Sequence, residues 1–282
     1  MQYLRLDEIL ADVEQWETLE FDRMRFNGGE NHIRLLSEVY GPVIIEAQLK
    51  NSDYVMELLL ATDALKRAGA TEISLLAPYI PYGRQDRVMV PGEPLSIKVF
   101  ADLINAQNYK TVYTFDNHSE VTSALLNNCV EISNHRMVKE FIYENEGHGV
   151  RIISPDGGAL KKVFKLAQIC NRQVVTAAKH RDVKTGEITG TEVHTQDLTG
   201  STCVIVDDIC DGGRTFIALA KALKEKGAKR ILLYVSHGIF SCGTYGLQEC
   251  IDAVYTTNCF RREFEIADWN VTVIPLRKDD LR

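Results

Sequence analysis

The chain lacks any run of about 18 apolar residues, which is the length that a helix needs to span a bilayer, so we expect no membrane segment. Its first residues are acidic and lack the basic and then apolar segments of a secretory signal, which predicts a cytoplasmic protein. The seven cysteines are odd in number, scattered, and form no CxxC pair. This usage favours small buried cysteines in a reducing compartment over disulfides or a zinc site.

Positive charge is outweighed by negative charge in this chain. It has 32 lysines and arginines against 39 aspartates and glutamates, for a formal net charge of −7. Because sequence-independent nucleic-acid binders are normally basic, we expect no nucleic-acid partner, although a local basic pocket for a phosphate ligand stays compatible with this charge. Hydrophobic residues make up 45% of the 282 residues and charged residues 25%, which excludes a disordered chain, a collagen or a coiled coil.

Apolar segments rich in isoleucine and valine alternate with amphipathic segments along the chain. Continuous apolar runs of this length are typical of strands that are buried on both faces of a sheet. Two of the amphipathic segments, 53–68 and 215–226, are each followed by a glycine that suits a helix C-terminus. The alternation predicts an α/β fold with mainly parallel sheets and helices on both faces. The predicted strands are 42–46, 72–77, 111–115, 150–154, 173–176, 203–206, 230–235 and 271–274.

The two halves of the chain contain similar segments. Residues 64–76 and 222–234 each read as a helix end, a glycine, a short turn and a strand. Any helix–glycine–strand unit has this appearance, but the length of the chain also calls for two domains. We therefore predict two tandem domains, residues 1–134 and 135–282, with the boundary in a polar stretch near 127–136.

The most informative motif follows the predicted strand 203–206. Two acids, Asp207 and Asp208, come directly after it, then a glycine-containing loop, and then a helix that begins near Thr215. Backbone N–H groups at such a helix start favour an anion, and ligands of open α/β sheets bind at the carboxyl ends of strands. Adjacent carboxylates beside a phosphate pocket suit ribose hydroxyls, directly or through hydrated Mg²⁺.

This motif resembles the loop that binds phosphoribosyl pyrophosphate (PRPP) in type I phosphoribosyltransferases and PRPP synthetases. Further segments resemble motifs of the ribose-phosphate pyrophosphokinase family, in that family's order and roughly at its spacing. The resemblance implies two tandem phosphoribosyltransferase-like domains of type I. The matching segments are 25–30, 78–87, 116–120, 154–159, 179–181 and 236–241.

The resemblance implies an ATP site in the first domain. The guanidinium groups of Arg84 and Arg87 suit polyphosphate oxygens, and Gln85 and Asp86 can hydrogen-bond a purine or a ribose. Taken alone, these four residues would read as a solvated turn. The family holds adenine with a segment of the neighbouring subunit, here Phe26, Asn27 and Glu30, and Gly28 stands where the family has an acid or amide.

The family's catalytic groups match three residues of this chain. Lys179 and Arg181, at the start of a polar segment that reads as a mobile flap or hairpin, would stabilise the transition state, and His118 would assist them. His118 and Asp156 would hold Mg²⁺, and Asp156, Gly157 and Gly158 would form the loop for the transferred pyrophosphate. Without the resemblance, a lone histidine and an exposed basic cluster would be read as structural.

The sugar-phosphate loop departs from the family pattern, because an arginine replaces one threonine of the usual run. A wider loop with an arginine suits a diphosphate such as that of ADP-ribose, whereas drift with an unchanged substrate explains it equally well. The residues predicted to bind the ribose phosphate are Asp207, Asp208, Asp211, Gly212, Gly213, Arg214 and Thr215.

The implied reaction transfers the β,γ-diphosphoryl group of ATP to the anomeric 1-hydroxyl of ribose 5-phosphate, which forms PRPP and releases AMP. The alternative is the same chemistry on ADP-ribose, giving ADP-ribose pyrophosphate for NAD synthesis. A phosphoribosyltransferase and a catalytically silent regulatory homologue are further alternatives. The family builds its ATP site between subunits, so a homo-oligomer, a dimer or a hexamer, is implied.

Overall fold

The computed structural model describes residues 1–145, 149–181, 188–195, 197–261 and 271–281. The chain divides into two compact units, Met1–Ile132 with Pro275–Arg282, and Ser133–Ile274. The division lies at 132/133 instead of the predicted 134/135, and the last segment, predicted in the second domain, belongs to the first unit. A bridge between Leu10 and Leu276 attaches this segment.

The first unit contains a six-stranded, fully parallel sheet and a separate two-stranded hairpin. Its strands are β1 (Gln2–Arg5), β2 (Glu17–Thr18), β3 (Phe21–Arg25), β4 (Asn31–Leu35), β5 (Pro42–Glu46), β6 (Glu72–Leu76), β7 (Val112–Phe115) and β8 (Cys129–Ile132). The sheet has the order β2-β1-β5-β6-β7-β8, and β3 and β4 form the antiparallel hairpin. Strand β8 lies within the polar stretch that was predicted to be the domain boundary.

Three helices complete the first unit: α1 (Ser52–Ala68), α2 (Ser96–Asn105) and α3 (Glu120–Leu125). Helix α1 begins where the side chain of Asn51 accepts the N–H groups of Asp53 and Tyr54, at 2.9 and 3.4 Å. It ends at Gly69, whose φ of 102° is the left-handed conformation that glycine adopts without strain. The predicted helix 53–68 is therefore present with nearly the predicted bounds.

The second unit contains a seven-stranded sheet. Its strands are β9 (Val150–Ser154), β10 (Gln173–Arg181), β11 (Ile188–Val193), β12 (Thr202–Cys210), β13 (Arg230–Gly238), β14 (Ala253–Thr257) and β15 (Val271–Ile274). The order is β11-β10-β9-β12-β13-β14-β15, and among these described strands only β10 and β11 are antiparallel. Strand β12 therefore lies between β9 and β13, with parallel neighbours on both sides.

The helices of the second unit are α4 (His135–Asn145), α5 (Leu160–Cys170), α6 (Arg214–Glu225) and α7 (Tyr245–Gln248). Helix α6 is shifted by one residue from the predicted 215–226. A 3₁₀ turn, Lys278–Leu281, closes the described part of the chain. Among the described residues, no helix combines the length and the hydrophobicity that crossing a bilayer requires.

Both faces of the second sheet are buried. Ile205 and Leu233 belong to the cluster that includes α6, whereas their neighbours Val204 and Leu232 belong to the cluster that includes α5. Because successive residues of a strand point to opposite faces, this alternation explains why the strands read as continuous apolar runs. It confirms the predicted α/β class with mainly parallel sheets.

Candidate active site

Four of the predicted ATP-binding residues and the predicted catalytic His118 follow two neighbouring strands of the first unit. Arg84, Gln85, Asp86 and Arg87 lie in the loop after β6, and His118 is the third residue after β7. Since β6 and β7 are adjacent and parallel, both loops leave the same edge of the sheet, where open α/β sheets bind ligands. The two arginines, Gln85 and His118 are exposed, and Asp86 is half-buried.

The carboxylate of Asp86 joins these two loops. Nε and Nη2 of Arg87 donate to its two oxygens at 2.8 and 3.1 Å. The Arg87 hydrogen bond, a Ser119 hydrogen bond and the charges of Arg87 and His118 outweigh desolvation and lower the pKa of Asp86 to about 2. Asp86 therefore stays ionised at neutral pH, and its contacts tie the loop after β6 to the turn that carries His118.

A polar network supports the turn before His118. Asp116 has a φ of 45°, a left-handed conformation that is uncommon outside glycine, although aspartate adopts it more readily than most residues. Asn117 is almost fully buried; its side-chain nitrogen donates to the hydroxyl of Ser123 at 3.0 Å, and its backbone N–H donates to Glu131 at 3.2 Å. The hydroxyl of Ser123 donates to the other oxygen of Glu131 at 2.5 Å. The side chains of α3 and β8 thus hold His118 at the sheet edge.

The predicted adenine-binding segment forms the turn of the β3–β4 hairpin. The side chain of Phe26 is 51% exposed and packs edge-on against His32, with ring centroids 5.7 Å apart. Asn27 and Glu30 are also exposed. A Cβ atom on Gly28 would lie 2.5 Å from a carboxylate oxygen of Glu30, so the missing side chain at this position leaves room for the Glu30 carboxylate.

In the second unit, the paired acids lie near the end of β12. The backbone N–H of Asp208 donates to the carboxylate of Asp207 at 3.0 Å. Desolvation by burial, and then repulsion by Asp208 and by Asp156, raise the pKa of Asp207 well above its usual value. The pair therefore gains free energy from any ligand that brings hydroxyl donors or positive charge.

The Asp156 loop lies at the end of β9, next to β12 in the sheet. Oδ1 of Asp156 accepts the backbone N–H groups of Gly158 and Ala159, at 2.9 and 3.2 Å. Gly157 and Gly158 are exposed, and a Cβ atom on Gly157 would meet no atom within 4 Å. The loop therefore offers open backbone to a ligand near Asp207, as the predicted pyrophosphate loop requires.

The predicted sugar-phosphate loop runs from Asp211 to the start of α6. Gly213 is the residue before the helix, its φ is 77°, and it has no side chain that could cap the first N–H groups. Arg214 is the first helical residue and is exposed, and Thr215 is half-buried. The start of a twelve-residue helix directs backbone N–H groups towards this loop, which favours a phosphate there.

Lys179 and Arg181 lie at the end of β10. Their backbone positions are opposite Thr191 and Ile188 of β11, and the register shifts between His180 and Arg181. Strands β10 and β11 therefore form the two sides of the predicted hairpin. The residues that connect them, 182–187, lie outside the described residues.

The donor set is compatible with a magnesium ion that is held mainly by its substrate. Among the residues that the structure describes, no group of three or more histidine, cysteine, aspartate or glutamate side chains could hold a metal ion. Mg²⁺ usually keeps waters and phosphate oxygens and takes only one or two protein carboxylates. Asp156 is a ligand of the required hard type, and it lies near the other acids of its unit.

Sequence reasoning missed several supporting residues. Ser119, Ser123 and Glu131 hold the His118 turn, and Cys242 and Leu247 lie against the sugar-phosphate loop. The only signal in the sequence was the clustering of polar residues around 116–131, which carries no information on partners. These contacts join strands that are neighbours only after folding.

Each half of the chain matches a family of known protein domains, and most of the chain matches named relatives. Residues 3–107 match the model of the N-terminal domain of ribose phosphate pyrophosphokinase, and residues 123–277 match a phosphoribosyl transferase domain. The chain is 31% identical over 247 residues to a ribose-phosphate pyrophosphokinase of Thermococcus kodakarensis, which covers 85% of each chain. It is 30% identical to one of Pyrococcus furiosus, covering 83% of this chain and 84% of that protein.

A solved structure has the same fold. Phosphoribosylpyrophosphate synthetase from Mycobacterium smegmatis matches with a TM-score of 0.84 at 24% identity, covering 97% of this chain and 94% of that one. Together with the two domain matches, this confirms the predicted tandem arrangement of phosphoribosyltransferase-like domains.

We predict that Asp207→Asn stabilises the unliganded protein. The folded state raises the pKa of Asp207, so its ionisation costs stability at neutral pH, and this cost disappears on acidification towards the ordinary aspartate pKa. Urea unfolding should therefore show a gain on the order of 1 kcal/mol at pH 7 that shrinks towards pH 4. Asp197 is the control, because a hydrogen bond from Thr199 lowers its pKa, and Asp197→Asn should bring no gain. Equal stability of wild type and Asp207→Asn at pH 7 would contradict the assignment.

Proposed function

Because the chain belongs to the ribose-phosphate pyrophosphokinase family, a family of transferases, we propose that it transfers the β,γ-diphosphoryl group of ATP to the 1-hydroxyl of ribose 5-phosphate. The products are PRPP and AMP. The observation that carries the proposal is the match to relatives of this name over more than four fifths of both chains. The loops at the carboxyl ends of β6, β7, β9 and β12 supply residues of the types that this reaction needs.

The second unit would bind the acceptor. Asp207 and Asp208 accept hydrogen bonds from the ribose hydroxyls, which compensates the repulsion between their carboxylates. The 5-phosphate lies at the uncapped start of α6, where the backbone N–H groups of residues 211–215 donate to it. This leaves the anomeric 1-hydroxyl exposed for reaction.

The first unit would bind ATP. Arg84 and Arg87 lie exposed at the sheet edge and contact the phosphates, and Gln85 hydrogen-bonds the nucleoside. Asp86 orients this segment through Arg87 and Ser119. Phe26, Asn27 and Glu30 of a neighbouring copy hold the adenine ring; their exposure on a hairpin suits such a role.

In the transfer step, the oxygen of the 1-hydroxyl forms a bond to the β-phosphorus, and the bond from that phosphorus to the oxygen of the α-phosphate breaks. AMP takes the bond electrons, and the hydroxyl proton leaves to solvent. The protein contributes position and charge: Lys179, Arg181 and His118 neutralise the phosphoryl oxygens, and Asp156, Gly157 and Gly158 line the diphosphoryl group. Mg²⁺ bound to the phosphates, with Asp156 as its protein carboxylate, would lower the charge of the triphosphate.

A second candidate acceptor is ADP-ribose, which would yield ADP-ribose pyrophosphate. The observation in its favour is Arg214, an exposed cation at the first residue of α6. In ADP-ribose, the corresponding 5-phosphate carries a further phosphate, and an arginine beside the helix start would pair with it.

We further propose that the protein works in the cytoplasm. We also propose that it is a homo-oligomer, because the adenine-binding hairpin would act on a second copy. Light scattering should then give a mass that is a multiple of 31.8 kDa. A Phe26→Ala variant should raise the KM for ATP, while a monomeric mass for the active enzyme would contradict the shared site.

Offering each acceptor separately with ATP and Mg²⁺ tests the reaction. We expect AMP and PRPP from ribose 5-phosphate, identified by mass spectrometry, with a kcat/KM about tenfold or more above that with ADP-ribose. Arg214→Thr should reduce activity with ADP-ribose more than with ribose 5-phosphate. Product from ADP-ribose alone would establish the second candidate, and no AMP with either acceptor would indicate a silent homologue.

The role of Lys179 has a direct test. Lys179→Ala should lower kcat by about 10²–10³, because a cation that pairs with the transferred phosphoryl group would act mainly in the transition state. Lys165, an exposed lysine of α5, is the matched control, and Lys165→Ala should keep the wild-type rate. If both variants turn over equally, Lys179 has no part in catalysis.

A further inference from the structure

Phe240 has a backbone conformation that is rare for a bulky residue. Its φ is 46°, in the left-handed region, although it is neither glycine nor asparagine. Three of the other described non-glycine residues with positive φ are asparagines, and the remaining two, Tyr82 and Asp116, lie in the proposed ATP-binding loops. Such strain persists only where the surroundings impose it, and it is frequent at functional sites.

Hydrogen bonds fasten this residue to the root of the sugar-phosphate loop. The backbone N–H groups of Ile239 and Phe240 both donate to the carbonyl of Cys210, at 2.9 and 3.0 Å. Cys210 is the last residue of β12, and Asp211 follows it directly. The N–H of Gly243 donates to the carbonyl of Phe240 at 2.9 Å, which closes residues 239–243 into the Phe240 turn.

The ring of Phe240 packs against the backbone of Gly238. It is 4% exposed, and a Cβ atom built on Gly238 would lie 2.2 Å from Cε2 of the ring and 2.8 Å from Oγ1 of Thr256. A side chain at 238 would therefore displace the ring. Gly238 at the end of β13 and Phe240 form a matched pair, in which the absent side chain of one accommodates the other.

The residues after Phe240 support the glycines of the loop. Sγ of Cys242 lies 3.5 Å from the position of a Cβ on Gly212, and a side-chain carbon of Leu247 lies 3.0 Å from that position on Gly213. Consecutive glycines lose the most conformational freedom on ordering. Contacts behind them lower the entropy that phosphate binding would otherwise have to overcome.

We propose that Phe240 is a positioning residue for sugar-phosphate binding. With its ring on Gly238, it holds Cys242 and Leu247 behind Gly212 and Gly213, so that the loop presents its N–H groups before the phosphate arrives. The inference rests on the proposed function in naming the sugar phosphate as ligand. It requires an effect on that substrate and none on ATP, which is bound by other loops.

Two variants approach the pair from opposite sides: Phe240→Leu removes the ring, and Gly238→Ala displaces it. Each should raise the KM for ribose 5-phosphate about fivefold or more, and leave the KM for ATP and the kcat at saturation within about twofold. Leu166→Ala is the control, because Leu166 is buried in the cluster on the other face of the same sheet. An equal rise in both KM values, or a change no larger than in Leu166→Ala, would overturn the proposal.

A second readout needs no turnover. Cys242 is the exposed member of the seven cysteines, so a thiol reagent reports on it in the native enzyme. Ribose 5-phosphate should slow this reaction in wild type and Leu166→Ala, and protect Phe240→Leu and Gly238→Ala at least fivefold less at the same concentration. Equal protection in all four proteins would overturn the proposal. If the protein releases no AMP, yet ribose 5-phosphate protects Cys242 in wild type and not in Phe240→Leu or Gly238→Ala, the positioning role is supported and the proposed function is refuted.

Discussion

Two adjacent carboxylates on one strand repel each other, and the proposed acceptor site of the second unit depends on this repulsion. Asp208 is buried and the adjacent Asp207 is half-buried, and Asp156, in the loop after the neighbouring strand, adds a third negative charge. Burial and repulsion raise the pKa of Asp207, so its ionised form is unfavourable at neutral pH. In the proposed function, hydroxyl donors of a ribose would relieve this repulsion. Residues that lower stability in this way are common at functional sites.

Three loops with proposed roles also share a backbone feature, a left-handed residue other than glycine. Tyr82, Asp116 and Phe240 each have positive φ, and each lies in a loop that follows the carboxyl end of a strand. In two of these loops the structure shows which contacts hold the conformation. Asp116 lies beside the Asn117–Glu131 network, and the Phe240 N–H donates to the carbonyl of Cys210 while its ring lies against Gly238, which has no side chain. Loops that are held in this way bind with less loss of entropy than free ones.

Much of the fold was predictable because buried parallel strands have a distinct composition. The apolar runs at 42–46, 72–77, 150–154 and 203–206 match β5, β6, β9 and the first part of β12, to within one residue for β6. Strands β3 and β8 escaped prediction, because β3 is exposed along most of its length, half of β8 is exposed, and neither contains a continuous apolar run. The docking of residues 275–281 on the first unit could not be predicted either, since it depends on contacts with residues far earlier in the chain, such as the bridge between Leu10 and Leu276.

By itself the sequence determined the α/β class and the pair of domains, because these depend on local pattern. It placed Asp207 and Asp208 directly after a strand that ends at 206, whereas β12 continues to Cys210 and contains both acids. The tertiary structure alone decided which loops support each other. Asp86 meets Ser119, Asn117 meets Glu131, and Cys242 meets Gly212 only because the order of strands in a sheet brings their ends together. Strand order depends on packing across the whole sheet, and no short stretch of residues contains that information.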